Sequence, residues 1–260
     1  MVSTSQPART PRDEASSHED PLVRVWPLFG LVLTTPRLVL TPVRDEHVPG
    51  IIDAALAGIH DPAQMPFSMP WTDAPPEVLT RETAKYLWRL RTSVSVSDWT
   101  LNFAVLHEGR VIGLQDLAAS SFGLLRRVRS GSWLTRSAQG QGLGTEMRAA
   151  VLQFAFDHLG ATSAVSDAVH WNQASLGVSR HLGYQLNGST LVEARSGEAE
   201  ELQHVLGELG VAPGLVTFVD DAPGNIETAR ALGIDARLFD PATDLARALR
   251  DAPLGAAESA

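Results

Sequence analysis

Three glycines at two-residue spacing, Gly140, Gly142 and Gly144, precede an uninterrupted helical pattern, Glu146–Leu159, which Gly160 stops. Residues without a Cβ let the backbone curl tightly. Successive N–H groups can then point into one concavity, backed by the positive end of the helix dipole, and that combination binds phosphate. A Walker A loop would need Gly-Lys-[Ser/Thr], and the only lysine in the chain is Lys85. A dinucleotide fingerprint would need G-x-G-x-x-G directly after a strand. Here the glycines run G-x-G-x-G, and Thr135–Gln139 separate them from the apolar pair Trp133–Leu134. Four ionisable residues, Asp116, Glu146, Asp167 and His170, lie near this loop or the strands flanking it, and each is a candidate proton acceptor. Glu146 also suits a first-turn acid stabilising its helix dipole. Asp167 and His170 are an odd number of residues apart on one expected strand, so they face opposite ways and at most one can meet a given substrate.

The elements that must position these residues follow from the hydrophobic pattern. Met1–Asp20 is Ser, Thr, Pro and mixed charge without an apolar period, and residues 1–24 are expected to form a disordered tail. Val25–Leu33 and Arg37–Val43 suggest a first strand with an extension. Asp45–Ile59 reads as a helix with Asp45 as its N-cap. His60–Pro76 is a Pro- and Met-rich loop holding Phe67 and Trp71, long enough to be a substrate loop. Glu77–Thr92 is a second helix; Trp99–Leu106 and Arg110–Leu117 form a hairpin around His107-Glu108-Gly109. Val128–Leu134, the glycine loop and its helix, strand Thr162–His170, helix Gln173–His181 and two short strands ending near Glu201–Leu206 complete the unit. Hairpins interleaved with helices point to an α+β fold.

The 260 residues carry 44% hydrophobic content, ample for a core, and a net charge of −9, which gives nucleic acid no electrostatic footprint. There is no cysteine, which removes disulfides, thiolate nucleophiles and Cys-based zinc sites together. No apolar run approaches a membrane span and no basic-then-hydrophobic leader opens the chain, so no membrane association and a cytoplasmic location are expected.

The spacing Gln139-x-x-Gly142-x-Gly144 matches the Q/R-x-x-G-x-G/A signature of the GNAT superfamily of N-acetyltransferases. Ser130-Gly-Ser-Trp-Leu resembles that family's fourth strand, which splays from the fifth, here Ala161–His170. Asn172-Gln-Ala-Ser175 and Val178-Ser-Arg-His-Leu-Gly-Tyr184 resemble its next helix and closing turn. Leu33-Thr-Thr-Pro-Arg-Leu-Val-Leu40 is similar to the opening of the ribosomal-protein N-terminal acetyltransferases of the RimJ/RimL type. The resemblance spans Thr34 to Leu206 and implies the GNAT acyl-CoA N-acyltransferase fold over residues 25–206, a mixed, mostly antiparallel sheet with a splayed central strand pair.

The resemblance further implies acetyl-CoA as cosubstrate, with no metal. Gln139, Gly140, Gln141, Gly142, Leu143, Gly144 and Thr145 would hold its pyrophosphate. Backbone amides of Trp133, Leu134 and Thr135 would hold the pantetheine arm and polarise the thioester carbonyl, while Asn172 and Ser175 would lie along it. Asn172 equally suits a helix N-cap. Many relatives place a tyrosine seven residues after that asparagine as the acid for the departing thiolate; this chain has Ser179 there. The acid is then Ser175, Ser179 or water, and Asp167 and His170 are retained as catalytic candidates.

Beyond Gly207, Leu215-Val-Thr-Phe-Val219, Asp220-Asp221, a helix Ile226–Leu232, a strand Ala236–Phe239 and a helix Thr243–Arg250 resemble the last motif of haloacid-dehalogenase-like hydrolases. The nucleophile loop of that family, D-x-D-x-[T/V], is absent from the chain, so residues 207–252 read as an appended partial α/β fragment without phosphatase chemistry, followed by a tail over 253–260. The expected function is acetyl transfer to a primary amine, such as a peptide or protein N-terminus. A CoA-binding regulatory module without catalysis is the alternative, and a Mg²⁺-dependent phosphohydrolase ranks last. Acetyl and succinyl donors are not distinguished.

Overall fold

The computed structural model describes residues 20–195 and 197–208, together with the short stretches 219–220 and 237–238. Eight strands form one sheet: β1 (Leu33–Thr34), β2 (Leu38–Pro42), β3 (Trp99–His107), β4 (Arg110–Ala119), β5 (Arg127–Leu134), β6 (Ser163–Val169), β7 (Gln185–Glu193) and β8 (Ala199–Glu208). Their spatial order is β1-β2-β3-β4-β5-β6-β8-β7. Every pairing is antiparallel except β5 with β6. The helices are α1 (Pro21–Val25), α2 (Val48–Leu56), α3 (Pro76–Thr92), α4 (Phe122–Leu125), α5 (Leu143–Gln153) and α6 (Gln173–His181).

Helices cover both faces of the sheet. On one face Leu40, Phe103, Val105, Leu117 and Val128 pack against Leu143, Met147, Ala150, Val151 and Phe154, the apolar stripe that helical periodicity puts on one side of α5. On the other, Ala104, Leu114 and Trp133 meet Val48, Ile51 and Ile52 of α2 and Leu87 of α3. The β3–β4 hairpin turns through Glu108 and Gly109, both at positive φ (50° and 75°), the two-residue geometry whose twist matches paired strands.

Several boundaries differ from the sequence reading. Residues 20–24, expected in the disordered tail, enter α1: Pro21 starts the helix, the Asp20 carboxylate accepts the Leu22 N–H at 2.9 Å, and Asp20 also pairs with Arg44. A 3₁₀ turn, Pro27–Gly30, occupies the expected extended stretch before Leu33. Asp45 is not an N-cap; its carboxylate takes Trp88 Nε1 and Arg91 of α3 instead. The helix expected from Glu146 starts at Leu143 and finishes in a π turn, Phe154–His158, before Gly160 at φ 71°. The last two strands are long, not short.

The parallel pair matters most for function. β5 and β6 pair only at Arg127–Ser163, Val128–Ala164 and Arg129–Val165. Beyond that point the strands run on to Leu134 and Val169 without pairing with each other, which is the splay the resemblance implied. The Ser166 hydroxyl crosses the start of the parting to the Ser130 carbonyl at 3.0 Å, and Arg129 reaches Asp167.

Of the C-terminal fragment, β9 (Val219–Asp220) and β10 (Arg237–Leu238) pair in parallel. Asp221, the helices expected over 226–232 and 243–250, the tail 253–260 and residues 1–19 lie outside the described residues.

Candidate active site

The glycine loop is built for an anion. Gly140 and Gly142 adopt φ 73° and 79°, a conformation side-chain-bearing residues resist, and Gly142 is the N-cap of α5. The first helical hydrogen bond is Glu146 N–H to Gly142 O at 3.1 Å, so the N–H groups of Leu143, Gly144 and Thr145 have no partner within the helix. Gly144, by contrast, is an ordinary helical residue; a Cβ there would meet only Val178 Cγ2 at 3.8 Å and Leu134 Cδ1 at 4.0 Å. Of the three glycines whose missing Cβ was expected to allow a tight curl, two, Gly140 and Gly142, use it through positive φ.

The side chains of the motif do structural work. Gln139 donates to the carbonyls of Ile59 (2.6 Å) and Leu134 (2.7 Å), clamping the loop to β5 and to the end of α2's connection. Gln141 donates to Ser137 O. Glu146 accepts from Thr35 Oγ1 (2.5 Å), Arg37 N (3.0 Å) and Arg37 Nε (2.7 Å), while Arg37 Nη1 donates to Gln141 O. Burial would raise the Glu146 pKa, but these donors outweigh it and hold the carboxylate below the usual glutamate value. Glu146 is therefore an anchor of the loop, and as a proton acceptor it is already spoken for.

Along the parting, strand alternation decides which backbone groups are free. Thr135 N–H donates to Ile112 O at 2.8 Å, so the N–H groups of Thr135 and, two residues back, Trp133 point to β4. Those of Ser132 and Leu134 point into the gap. Of the expected trio, only Leu134 offers its N–H, and Ser132 joins it.

Helix α6 closes this channel. Asn172 Oδ1 caps the helix through Ser175 N–H at 3.1 Å, so the capping expectation holds. Ser179 is 2% exposed; it donates to Ser175 O and accepts from Arg148 Nη1 at 2.9 Å, which leaves it unsuited to be the thiolate acid. Arg148 Nη2 donates to Ser132 Oγ at 3.3 Å. Tyr184, in the turn after α6, is buried in the core beside this group.

On the opposite face of the sheet, Asp116 lies directly across from Gly131 and accepts its N–H at 2.6 Å. Burial pushes this carboxyl up to about 6; the Gly131 hydrogen bond and the charges of Arg148 and Arg129 offset only part of that effect. Tyr86 of α3 is close enough that burial and the Asp116 charge raise its own pKa. Asp167 faces the same side but is occupied by Arg129 and by His204 Nδ1 at 2.5 Å. His170 follows the end of β6 and is exposed. Neither fits the expected proton acceptor as well as Asp116.

An aromatic wall flanks Asp116. Trp133 of β5 meets Trp71 at 5.9 Å between ring centroids, Trp71 meets Phe67 at 5.4 Å, and Phe67 meets His60 at 5.7 Å. These belong to the loop between α2 and α3, the expected substrate loop. Arg195, at the β7–β8 hairpin tip, pairs with Asp73 (2.9 Å) and donates to Pro62 O (3.0 Å), tying that hairpin to the loop.

Residues 37–185, more than half of the chain, match the family described as acetyltransferase (GNAT) domain. The chain belongs to the GNAT acetyltransferase family. Solved structures agree in fold: RimL, the ribosomal L7/L12 alpha-N-protein acetyltransferase in complex with coenzyme A, at 17% identity and TM-score 0.57, covers 70% of this chain and 99% of its own. Mycobacterium smegmatis RimJ in complex with CoA-disulfide gives 19% identity, TM-score 0.57 and coverage of 76% and 93%. An acetyl transferase from Salmonella typhimurium, which modifies the N-terminal serine of 50S ribosomal subunit protein L7/L12, gives 18%, 0.54, 67% and 96%. Among the described residues of this GNAT domain, no cluster of His, Asp or Glu is placed to hold a metal, and no helix is long and apolar enough to cross a membrane.

Sequence reasoning missed three residues at this candidate site. Arg148 sits in a helical stripe where an apolar residue would be expected. Arg195 contacts residues more than a hundred positions away, which no local pattern records. Gly131 carried a readable signal: a glycine inside a strand marks close approach, here by the Asp116 carboxylate.

Proposed function

We propose that this GNAT domain transfers an acetyl group from acetyl-CoA to a primary amine at a peptide or protein N-terminus, by direct attack within a ternary complex. The observation carrying the reading is the pairing of two features at one place: unpartnered N–H groups at the start of α5, and the parting of β5 from β6 that exposes the N–H groups of Ser132 and Leu134. The first suits a pyrophosphate and the second an extended, amide-bearing arm, so the residues present fit acetyl-CoA. The similarly folded RimL and RimJ, each solved in complex with CoA or CoA-disulfide, support it.

In this reading Asp116 takes the proton. The amine nitrogen attacks the acetyl carbonyl carbon, the C–S bond breaks with its electron pair going to sulfur, and the amine proton passes to the Asp116 carboxylate directly or through one water. A group titrating near 6 is ionised at neutral pH yet more basic than an ordinary aspartate, which suits that task. Asn172 and Ser175 at the start of α6 flank the channel. Trp133, Trp71 and Phe67 provide an apolar wall for the residues that follow the amine. The fold shared with acetyltransferases of the ribosomal L7/L12 N-terminus favours an N-terminal amine over a lysine side chain.

The test is a peptide bearing both a free N-terminus and an internal lysine, incubated with acetyl-CoA and read by mass spectrometry. Acetylation of the N-terminus first is expected. Equal or reversed rates discard the acceptor assignment, and absence of any transfer with an amine panel, despite CoA binding, points to the non-catalytic alternative.

A further inference from the structure

Arg148 is 4% exposed and its guanidinium has no carboxylate within ion-pair distance among the described residues. Its hydrogen bonds go to two hydroxyls, Ser179 Oγ at 2.9 Å and Ser132 Oγ at 3.3 Å, and its Nε has no partner. Burying an uncompensated cation is costly, and an apolar side chain would fill this position on the core side of α5 without that penalty. The position of the charge is therefore the informative point. Arg148 belongs to α5, Ser132 to the parted stretch of β5 and Ser179 to α6, so the guanidinium is held where these three elements meet beside the parting.

We propose that Arg148 receives the negative charge of the departing thiolate, so that the leaving sulfur is stabilised by a buried cation and not protonated by a side-chain acid. The inference rests on the acetyl-CoA reading above. When the C–S bond breaks, its electron pair stays on sulfur, and the amine proton has already gone to Asp116, so charge balances without a second proton transfer. A thiol ordinarily titrates near 8.5, so near neutral pH a thiolate needs only modest stabilisation to be released as such. A guanidinium in a site shielded from water supplies it without losing its own proton. The arrangement also accounts for Ser179: it accepts from Arg148 and orients it, at the position where many relatives carry a tyrosine.

The other groups facing Arg148 do not reproduce this effect. Tyr184, beyond the end of α6, is held neutral because burial raises its pKa, and Asp116, on the far side of β4 and β5, is neutral once it holds the amine proton.

The experiment compares CoA with desulfo-CoA, which lacks the sulfur, binding to the full chain by calorimetry across neutral to alkaline pH, alongside ultraviolet titration of the bound thiol. The expected result is about tenfold tighter binding of CoA, the scale of one charge-assisted hydrogen bond, with the bound thiol ionising below its free value. In Arg148→Met the preference vanishes while desulfo-CoA affinity is kept; Arg148→Lys keeps part of it, and Ser179→Ala keeps the charge and most of the preference. Equal binding of the two ligands by the wild type, or an unshifted bound thiol, overturns the proposal even if Arg148→Met does not fold. Loss of the preference in Tyr184→Phe with retention in Arg148→Met overturns it too. Failure of the wild type to bind either ligand would instead remove the acetyl-CoA reading, and this inference with it.

Discussion

The Asp116 carboxylate occupies the space above Gly131 that any side chain at residue 131 would fill: a Cβ there would lie 2.8 Å from Asp116 Oδ2. Two adjacent strands thus cooperate on one group. β5 supplies a gap and a backbone donor, and β4 supplies the carboxylate that uses both. The result is a carboxyl shielded enough to titrate near 6 while remaining on the face that the aromatic wall borders.

The rate should report that titration. With Asp116 ionised above about pH 6, kcat/KM is expected to fall roughly tenfold per unit as pH drops below that value. Asp116→Asn should lower kcat by about 10²–10⁴ and abolish the acidic limb. A pH–rate profile with an unchanged limb in the variant would remove Asp116 from its role.

Stability should move the opposite way. The folded pKa of Asp116 is raised above its ordinary 3.8, so its contribution is fully present below that value and is lost as pH rises through about 6. Asp116→Asn is therefore expected to melt above the wild type near pH 8, by up to about 3 kcal/mol, and to lose that advantage below about pH 4. Thermal melts at the two pH values decide it.

Gly131→Ala should separate geometry from binding. Its methyl displaces the carboxylate, so kcat is expected to drop by about tenfold or more, while CoA affinity stays within about twofold. A matching loss of CoA affinity would mean that β5 itself had shifted.

Gly142→Ala and Gly144→Ala should differ. A side chain at Gly142 meets φ 79°, costing about 1–2 kcal/mol, and Arg37 Nη2 lies 3.4 Å from the new Cβ. Gly144→Ala faces neither problem and should be nearly neutral in thermal stability. Calorimetry with acetyl-CoA is expected to show the larger affinity loss in Gly142→Ala.

Arg195→Ala should free the α2–α3 loop from the β7–β8 hairpin. The acceptor KM is expected to rise several-fold with acetyl-CoA affinity unchanged, since Asp73 and Pro62 border the aromatic wall and not the glycine loop.

What the sequence disclosed was local. Gln139-x-x-Gly142-x-Gly144 announced the loop because glycine geometry and a helix start are properties of adjacent residues, and the hairpin at Glu108-Gly109 was readable for the same reason. The Asn172 cap was legible too. The roles of the ionisable residues were not, because each depends on a partner distant in the chain: Arg37 for Glu146, His204 for Asp167, Arg148 for Ser179. Asp116 was named among four candidates but was not one of the two retained, because its burial depends on strands distant in the chain. The entry to the fold also misled: Val25–Leu33 looks extended by composition, yet Pro27 starts a 3₁₀ turn there, and Pro21 starts a helix in the stretch expected to be disordered.

Three residue pairs join β5 to β6, and past them a continuous sheet acquires two rims facing each other in its interior. A sheet rim ordinarily recruits another strand. Here a thin chain carrying amides at intervals can complete the ladder along the unpaired rims of β5 and β6. If acetyl-CoA binds as proposed, its pantetheine arm would stand in for a missing strand and stitch the two leaves, β1–β5 and β6–β8, together. Amide exchange along Ser132–Leu134 should accordingly slow when CoA is bound, and slow far less when only a pyrophosphate fills the glycine loop.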